Sequence, residues 1–548
     1  MKVCHLAQLG FVSAAILITG CGGGNAEVGD SVRSATSSES DNDMVMAETA
    51  LYEMAVDADA YEEMLPAEVG PVENGDQFDS IVENAFQRVT TQPLSTFSID
   101  VDTASYSKIR QYLLQYNQSP RPAAVRIEEL VNYFSYQYSG PGQDQPEPFA
   151  THAAVSQCPW NPDNRLLRVA LKGREIETDV RPASNLVLLI DTSGSMKDAN
   201  KLPLLQRGMR MLLTQLNEND RVAIVAYASA AGLVLDSTSA SEKSKITGAL
   251  DRLTAGGSTN GGQGLQLAYQ IARDHFIPGG TNRVLLCTDG DFNVGMTSND
   301  QMLSFIEEES AGGIDLTVLG FGMGNLNDSM LEQISGRGNG NYAFIDTENE
   351  AKKVLVEQLS STLVTIAKDV KIQIEFNPLK VAAYRLIGYE NRTLESEDFN
   401  DDKKDAGEIG AGHSVTAFYE IIPVGSKTLD QVPESDALRY QEPASASPAA
   451  ETGELLTLKL RYKLPEESAS QMVEHVVYDS GSAFEQADSE FQFAAAVASF
   501  GMLLRDSEYR GDWTFEDVKN VATSNLGSDR HGLRSEFIQI VDRAQSMQ

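Results

Sequence analysis

Three short stretches combine carboxylates and hydroxyls at spacings that suit metal chemistry. NLVLLIDTSGSM, residues 185–196, ends an apolar run on Asp191 and then offers Ser193 and Ser195 at alternate positions. GGSTNGG, residues 256–262, sets Thr259 in a glycine-rich loop before a helical stretch. VLLCTDGDFN, residues 284–293, carries Asp289 at the end of a second apolar run. Alternate residues of an extended loop share a side, so Asp191, Ser193 and Ser195 can face one point. The combined set is two carboxylates and three hydroxyls, all oxygen. It suits a hard cation such as Mg²⁺, which takes oxygens at about 2.0–2.1 Å in near-octahedral geometry, with Mn²⁺ or Ca²⁺ as alternatives. Two carboxylates neutralise a divalent ion and hydroxyls add no charge. The ion therefore stays electrophilic toward one more ligand, expected to be an Asp or Glu from a protein partner. Taken singly, each loop also reads as an ordinary turn or helix cap.

Hydrolytic chemistry is not expected. Metal-activated water needs a positioned base, and none of the six histidines lies in these loops. Asp291, the nearby spare carboxylate, reads as a loop-orienting group. No Ser/His/Asp or Cys/His arrangement is legible. Asp100-Val101-Asp102-Thr103 superficially matches the nucleophile motif of haloacid-dehalogenase phosphatases, but Ala-Ser-Tyr follows and no partner loop does. Asp100 and Asp102 are instead expected to cap the next helix. DFNDDKKDAGEIG, residues 398–410, lacks the EF-hand alternation of ligands and reads as a solvated loop.

The loops need a frame that brings them together. Between 183 and 365 the apolar strands NLVLLID, RVAIVAYAS, NRVLLCTDG and IDLTVLGFG alternate with amphipathic stretches such as LPLLQRGMRMLLTQL and GGQGLQLAYQIARDHF. Strands without polar alternation, separated by helices, imply a mostly parallel sheet covered on both faces. VLDSTS, near 234–239, is expected as an antiparallel edge strand. In such α/β sheets, ligands bind beyond the carboxyl ends of the strands, where the strand order reverses.

D-x-S-x-S after a strand, a Thr in a Gly/Ser loop and T-D-G at a later strand end resemble the von Willebrand factor type A domain. The resemblance implies a Rossmann-like, doubly wound α/β fold. It implies too that Asp191, Ser193, Ser195, Thr259 and Asp289 form a metal-ion-dependent adhesion site. STFSIDVDTASYSKIR, VRIEELVNYF, GNGNYAFIDT and DAGEIGAGHSVTAFYEI are similar to bacterial lipoproteins that carry this domain between flanking regions of their own. In adhesion relatives the last helix, here about 350–365, moves to tune affinity.

Across all 548 residues, 79 acidic side chains face 43 basic ones, a formal charge of −36. Such a surface repels nucleic acid and anionic headgroups, and no small-molecule substrate is expected. Residues 1–20 read as a signal peptide: Lys2, then GFVSAAILITG, too short to span a bilayer, ending in the lipobox Ile18-Thr19-Gly20-Cys21. Cys21 is the expected lipidation site, and each buried methylene of an acyl chain adds about 0.8 kcal/mol of anchoring. Gly22 rather than aspartate at the next position favours the outer membrane, if the cell is Gram-negative. Residues 21–85 are expected to be a disordered tether, with sixteen acidic residues against two arginines between Glu27 and Thr90; Met44–Val56 has helical spacing.

An N-terminal α+β flank is expected over 86–182, the type A domain over 183–365, a β-rich domain over 366–484 and a helical region over 485–548. The period-two patterns near 150–182 and 366–480 predict that the two flanks pair into one β-sandwich. Residues 428–452 read as a polar loop. Thr514 with Asp517 resembles a capping box, and Ala494, Val497, Ala498 and Gly501 mark one helix face. Cys4 leaves with the signal, and Cys158 and Cys287 are expected to be free thiols. The function this supports is metal-dependent protein binding or adhesion by a non-enzymatic, lipid-anchored envelope protein. Two alternatives are a static scaffold whose site is satisfied internally, by the acidic tether for example, and a metal-assisted hydrolase.

Overall fold

Strand β1 (Ser184–Asp191) is buried along its whole length, as its unbroken apolar run requires. Its residues alternate between two cores. Leu186, Leu188 and Ile190 pack with Leu205, Met209 and Leu212 of helix α1 (Leu202–Gln215). Val187 and Leu189 face Leu265, Ala268 and Tyr269 of helix α3 (Gly261–Asp274). Helix α2 (Lys243–Asp251) lies between the two in the chain. Burying each such side chain contributes roughly 1.5–3 kcal/mol, so the centre of this sheet is held on both faces.

The strands that complete the sheet are β2 (Arg221–Tyr227), β3 (Ala231–Ser239), β4 (Thr281–Thr288), β5 (Asp315–Phe321) and β6 (Tyr342–Ile345). Their order is β6-β5-β4-β1-β2-β3. All neighbours are parallel except β2 and β3, so the expected antiparallel edge strand is there. The order reverses between β1 and β4, which places a switch point beside the carboxyl ends of those two strands. The computed structural model describes residues 76–547 except 143, 177–180, 291–298, 323–325, 435, 437–438 and 441–445. Cys21 and the lipobox, the Met44–Val56 segment and Asp291 lie outside the described residues.

The two flanks do not fold separately. One five-stranded sheet pairs Phe149–Gln157 and Arg165–Gly173 with Ser414–Pro423 and Val381–Ile387. A second sheet sets Leu94–Ser98 beside Thr365–Phe376, followed by Leu456–Lys463 and Gln471–Val477. Leu167, Val169 and Leu171 of the first share a core with Ile372, Ile374, Leu458 and Leu460 of the second. This is the sandwich the period-two patterns predict. Beside it, helices Ser489–Arg505, Phe515–Ser524 and Leu533–Gln545 pack an aromatic and alanine-rich core with Ala104–Arg110 and Ile127–Asn132. Gly501 allows the close approach: a Cβ there would lie 2.8 Å from Ile127 Cγ1. Thr514 and Asp517 form the expected capping box. Cys158 and Cys287 are free and buried.

Two expectations need correction. Asp100 and Asp102 do not cap the helix, whose N-cap Thr103 has no side-chain capping bond. Asp102 instead accepts from the Tyr342 amide at 2.7 Å, and both carboxylates pair with Arg392 at 3.3 and 3.4 Å. The reason is burial: carboxylates held in a seam between flank and central domain require a buried cation. The tether boundary also shifts. Asp76 is fully buried on Lys108 at 2.8 Å, and Gln77 bridges to Asn327, so part of 76–85 docks on the central domain. Farther along the same seam, Arg110 donates to Asp346 at 2.9 Å, Glu350 at 2.8 Å and Glu536 at 2.9 Å.

Candidate metal site

Asp191 is the last residue of β1, and Asp289 follows the end of β4. The strands are adjacent and parallel, with Ile190 opposite Cys287, so the two carboxylates emerge side by side at the switch point. Both are fully buried. Ser193 is extended and Gly194–Lys197 closes a 3₁₀ turn. This turn folds the D-x-S-x-S loop back on itself: the Ser193 amide donates to Asp191 Oδ1 at 2.7 Å, and the Ser193 and Ser195 hydroxyls lie 2.9 Å apart.

The Thr259 loop is tied to this one by two backbone bonds. The Gly256 amide donates to the Thr192 carbonyl at 2.8 Å, and the Gly194 amide to the Gly257 carbonyl at 3.0 Å. Gly257 has φ +90, and a Cβ there would sit 2.6 Å from Ser229 Oγ, so only glycine fits easily. Ser229 in turn accepts from the Ser258 amide at 3.0 Å. Thr259 itself is half-buried, two residues before α3. The three loops that carry the expected residues thus meet at one end of the sheet.

The electrostatics are those of a site short of positive charge. Burial pushes the Asp191 carboxyl up to about 6, and the Asp289 charge adds to the shift, while Ser193 and Tyr227 offset part of it. Among the described residues, Asp191 Oδ2 and Asp289 Oδ1 are buried and have no hydrogen-bond partner. A buried carboxylate oxygen without a partner carries a desolvation cost of several kcal/mol, which a divalent ion would remove. These two oxygens, with the hydroxyls of Ser193, Ser195 and Thr259, are what could hold the ion. Such a donor set fits Mg²⁺ or Mn²⁺. Among the described residues no group of three or more His, Cys, Asp or Glu is arranged to hold a metal, and a site of two carboxylates and three hydroxyls falls below that number.

One residue that sequence reasoning missed stands in the site. Lys201, the N-cap of α1, places Nζ 2.9 Å from Asp289 Oδ2. No spacing rule marks it, because the contact spans 88 residues of chain. A faint signal exists in a lysine directly before an apolar helix start, where a cation opposes the helix dipole. A cleft of about 490 Å³ shares none of these residues; Asp100, Asp102, Glu332 and Arg392 line it, and the arginine engages all three carboxylates.

The chain matches three family profiles: von Willebrand factor over residues 72–168, the von Willebrand factor type A domain over 185–360, and "Uncharacterized protein YfbK, C-terminal" over 361–547. It is 43% identical over 473 residues to YfbK of Escherichia coli K12, covering 85% of this chain and 80% of that one. It is 32% identical over 190 residues to sll0103 of Synechocystis, covering 34% and 43% of the two chains. Among solved structures it is similar to a von Willebrand factor type A protein from Catenulispora acidiphila, at 14% identity and TM-score 0.39, covering 73% of this chain and 91% of that one. With that identity over that length, the chain belongs to the YfbK family, in which a von Willebrand factor type A domain is set between N-terminal and C-terminal regions of the family's own.

Proposed function

We propose that this protein binds a protein partner through a divalent cation held by Asp191, Ser193, Ser195, Thr259 and Asp289, with an Asp or Glu of the partner completing the ion's shell. Type A domains often serve protein–protein interaction, and this chain carries one. The observation that carries the finer reading is a pair of buried carboxylate oxygens, Asp191 Oδ2 and Asp289 Oδ1, that have no hydrogen-bond partner among the described residues and lie at the switch point of the sheet. A site that only stored metal would close the shell with more carboxylates. Binding rather than catalysis is favoured because no histidine lies in the three loops to act as a base.

The same reading places the protein in the bacterial envelope. Cys21 would carry the lipid and the acidic segment after it would space the folded part from the membrane, with the outer membrane favoured by Gly22. Among the described residues no helix is long and apolar enough to cross a membrane. Envelope extract passed over immobilised protein in Mg²⁺ or EDTA tests the proposal, with Asp191→Ala as the control. Partners retained only by the wild type in Mg²⁺ support it. Partners indifferent to both chelation and substitution would favour the static scaffold.

A further inference from the structure

The ion pair between Lys201 and Asp289 is placed where a metal ion would add its own charge. Nζ lies 2.9 Å from Oδ2, with the two side chains 6% and 0% exposed. Holding an ammonium so deep is costly, and the fold makes specific room for it. Gly322, just past β5, has φ +77, and a Cβ there would lie 2.2–2.8 Å from the Cε, Cγ and Cδ atoms of Lys201. The lysine stem therefore lies in a cradle that any larger residue would fill. Among the described residues Asp289 is the hydrogen-bond acceptor of this ammonium. Asp289 is used asymmetrically: Oδ2 takes the lysine, while Oδ1 is buried and has no hydrogen-bond partner among the described residues.

We propose that Lys201 is a resident counter-cation that keeps one oxygen of Asp289 and leaves the other for the metal, trading metal affinity for attraction to an anionic partner. This rests on the metal-site reading above. The charge count shows the consequence. Two carboxylates and one ammonium give the metal-free site a charge of −1 instead of −2, so closing it without metal costs less. Adding a divalent ion gives +1 instead of 0, so the loaded site seeks a carboxylate more strongly. The lysine thus opposes the ion and favours the partner's acidic side chain.

The test is calorimetric titration of Mn²⁺ alone into the purified full chain, its Lys201→Met variant and its Asp191→Ala variant. Methionine keeps an apolar stem in the Gly322 cradle and removes the charge; Lys201→Gln serves if that variant does not fold. Lys201→Met should bind Mn²⁺ at least tenfold more tightly than the wild type, and Asp191→Ala should not bind. A lysine with a purely structural role gives the opposite sign, because loosening the site weakens metal binding. Equal or weaker binding by both lysine variants, with Asp191→Ala still inactive, overturns the role of Lys201 and leaves the metal site standing. Absence of binding to the wild type, or undiminished binding to Asp191→Ala, overturns the site and this inference with it.

Discussion

Replacing Asp191 by asparagine should flatten the pH dependence of stability of the metal-free protein. Burial raises this carboxyl from 3.8 to about 6, a shift of about 2 units, or ~3 kcal/mol at about 1.4 kcal/mol per unit. An acid whose pKa is raised by folding holds its proton more tightly in the folded state. Its contribution is favourable at low pH and is lost as pH rises through about 6. Of the total, about 2 kcal/mol falls between about pH 4.5 and 8. Asparagine keeps the acceptor for the Ser193 amide, which Asp191 Oδ1 provides at 2.7 Å, and cannot titrate. The assay is thermal unfolding in EDTA across that range. At roughly 1 °C per kcal/mol for a compact unit as large as Pro71–Gln548, the wild type should lose about 2 °C relative to the variant as pH rises. Parallel profiles for the two proteins would refute the claim that Asp191 is buried without a compensating cation.

Other perturbations probe the loops and the seam. Gly257→Ala forces a side chain into φ +90 against Ser229, at about 1–2 kcal/mol for the backbone alone. It should displace the Thr259 loop and weaken Mn²⁺ binding several-fold by calorimetry; unchanged affinity would remove this loop from the site. Arg110→Met leaves Asp346 and Glu350 buried without their guanidinium, so chemical denaturation should show a loss of about 3–5 kcal/mol. His413 is held down to about 4 by burial, with Lys353 and Lys172 nearby. Its contribution to stability is present above about 6.5 and lost as pH falls toward 4, and His413→Gln should remove that part of the acid sensitivity in thermal scans.

The central domain was legible because its signals are local. Each inner strand is an unbroken apolar run, and burial on both faces leaves no polar position to obscure it, as in Leu186–Ile190. Asp191, Ser193 and Ser195 are alternate residues of one short stretch, so their spacing alone suggests a common target. What escaped sequence reasoning depends on contacts between distant segments. Lys201 meets Asp289 only after α1 and β4 pack on the same sheet. Asp100 and Asp102 have a cap-like local pattern, yet their partners are Tyr342 and Arg392, far along the chain. Composition marked Asp76 as part of a solvated tether, whereas its buried partner Lys108 lies 32 residues away. A lysine with no neighbouring acid in sequence can still be the cation that orders a segment.

Anomalous diffraction from crystals soaked in Mn²⁺ would locate the ion directly. The expected result is one peak between the carboxyl ends of β1 and β4, within bonding distance of an Asp191 oxygen and the Ser193 and Ser195 hydroxyls, with Thr259 and Asp289 beside it. A peak elsewhere, or none at this position under saturating Mn²⁺, would contradict the metal-dependent binding proposed for this protein.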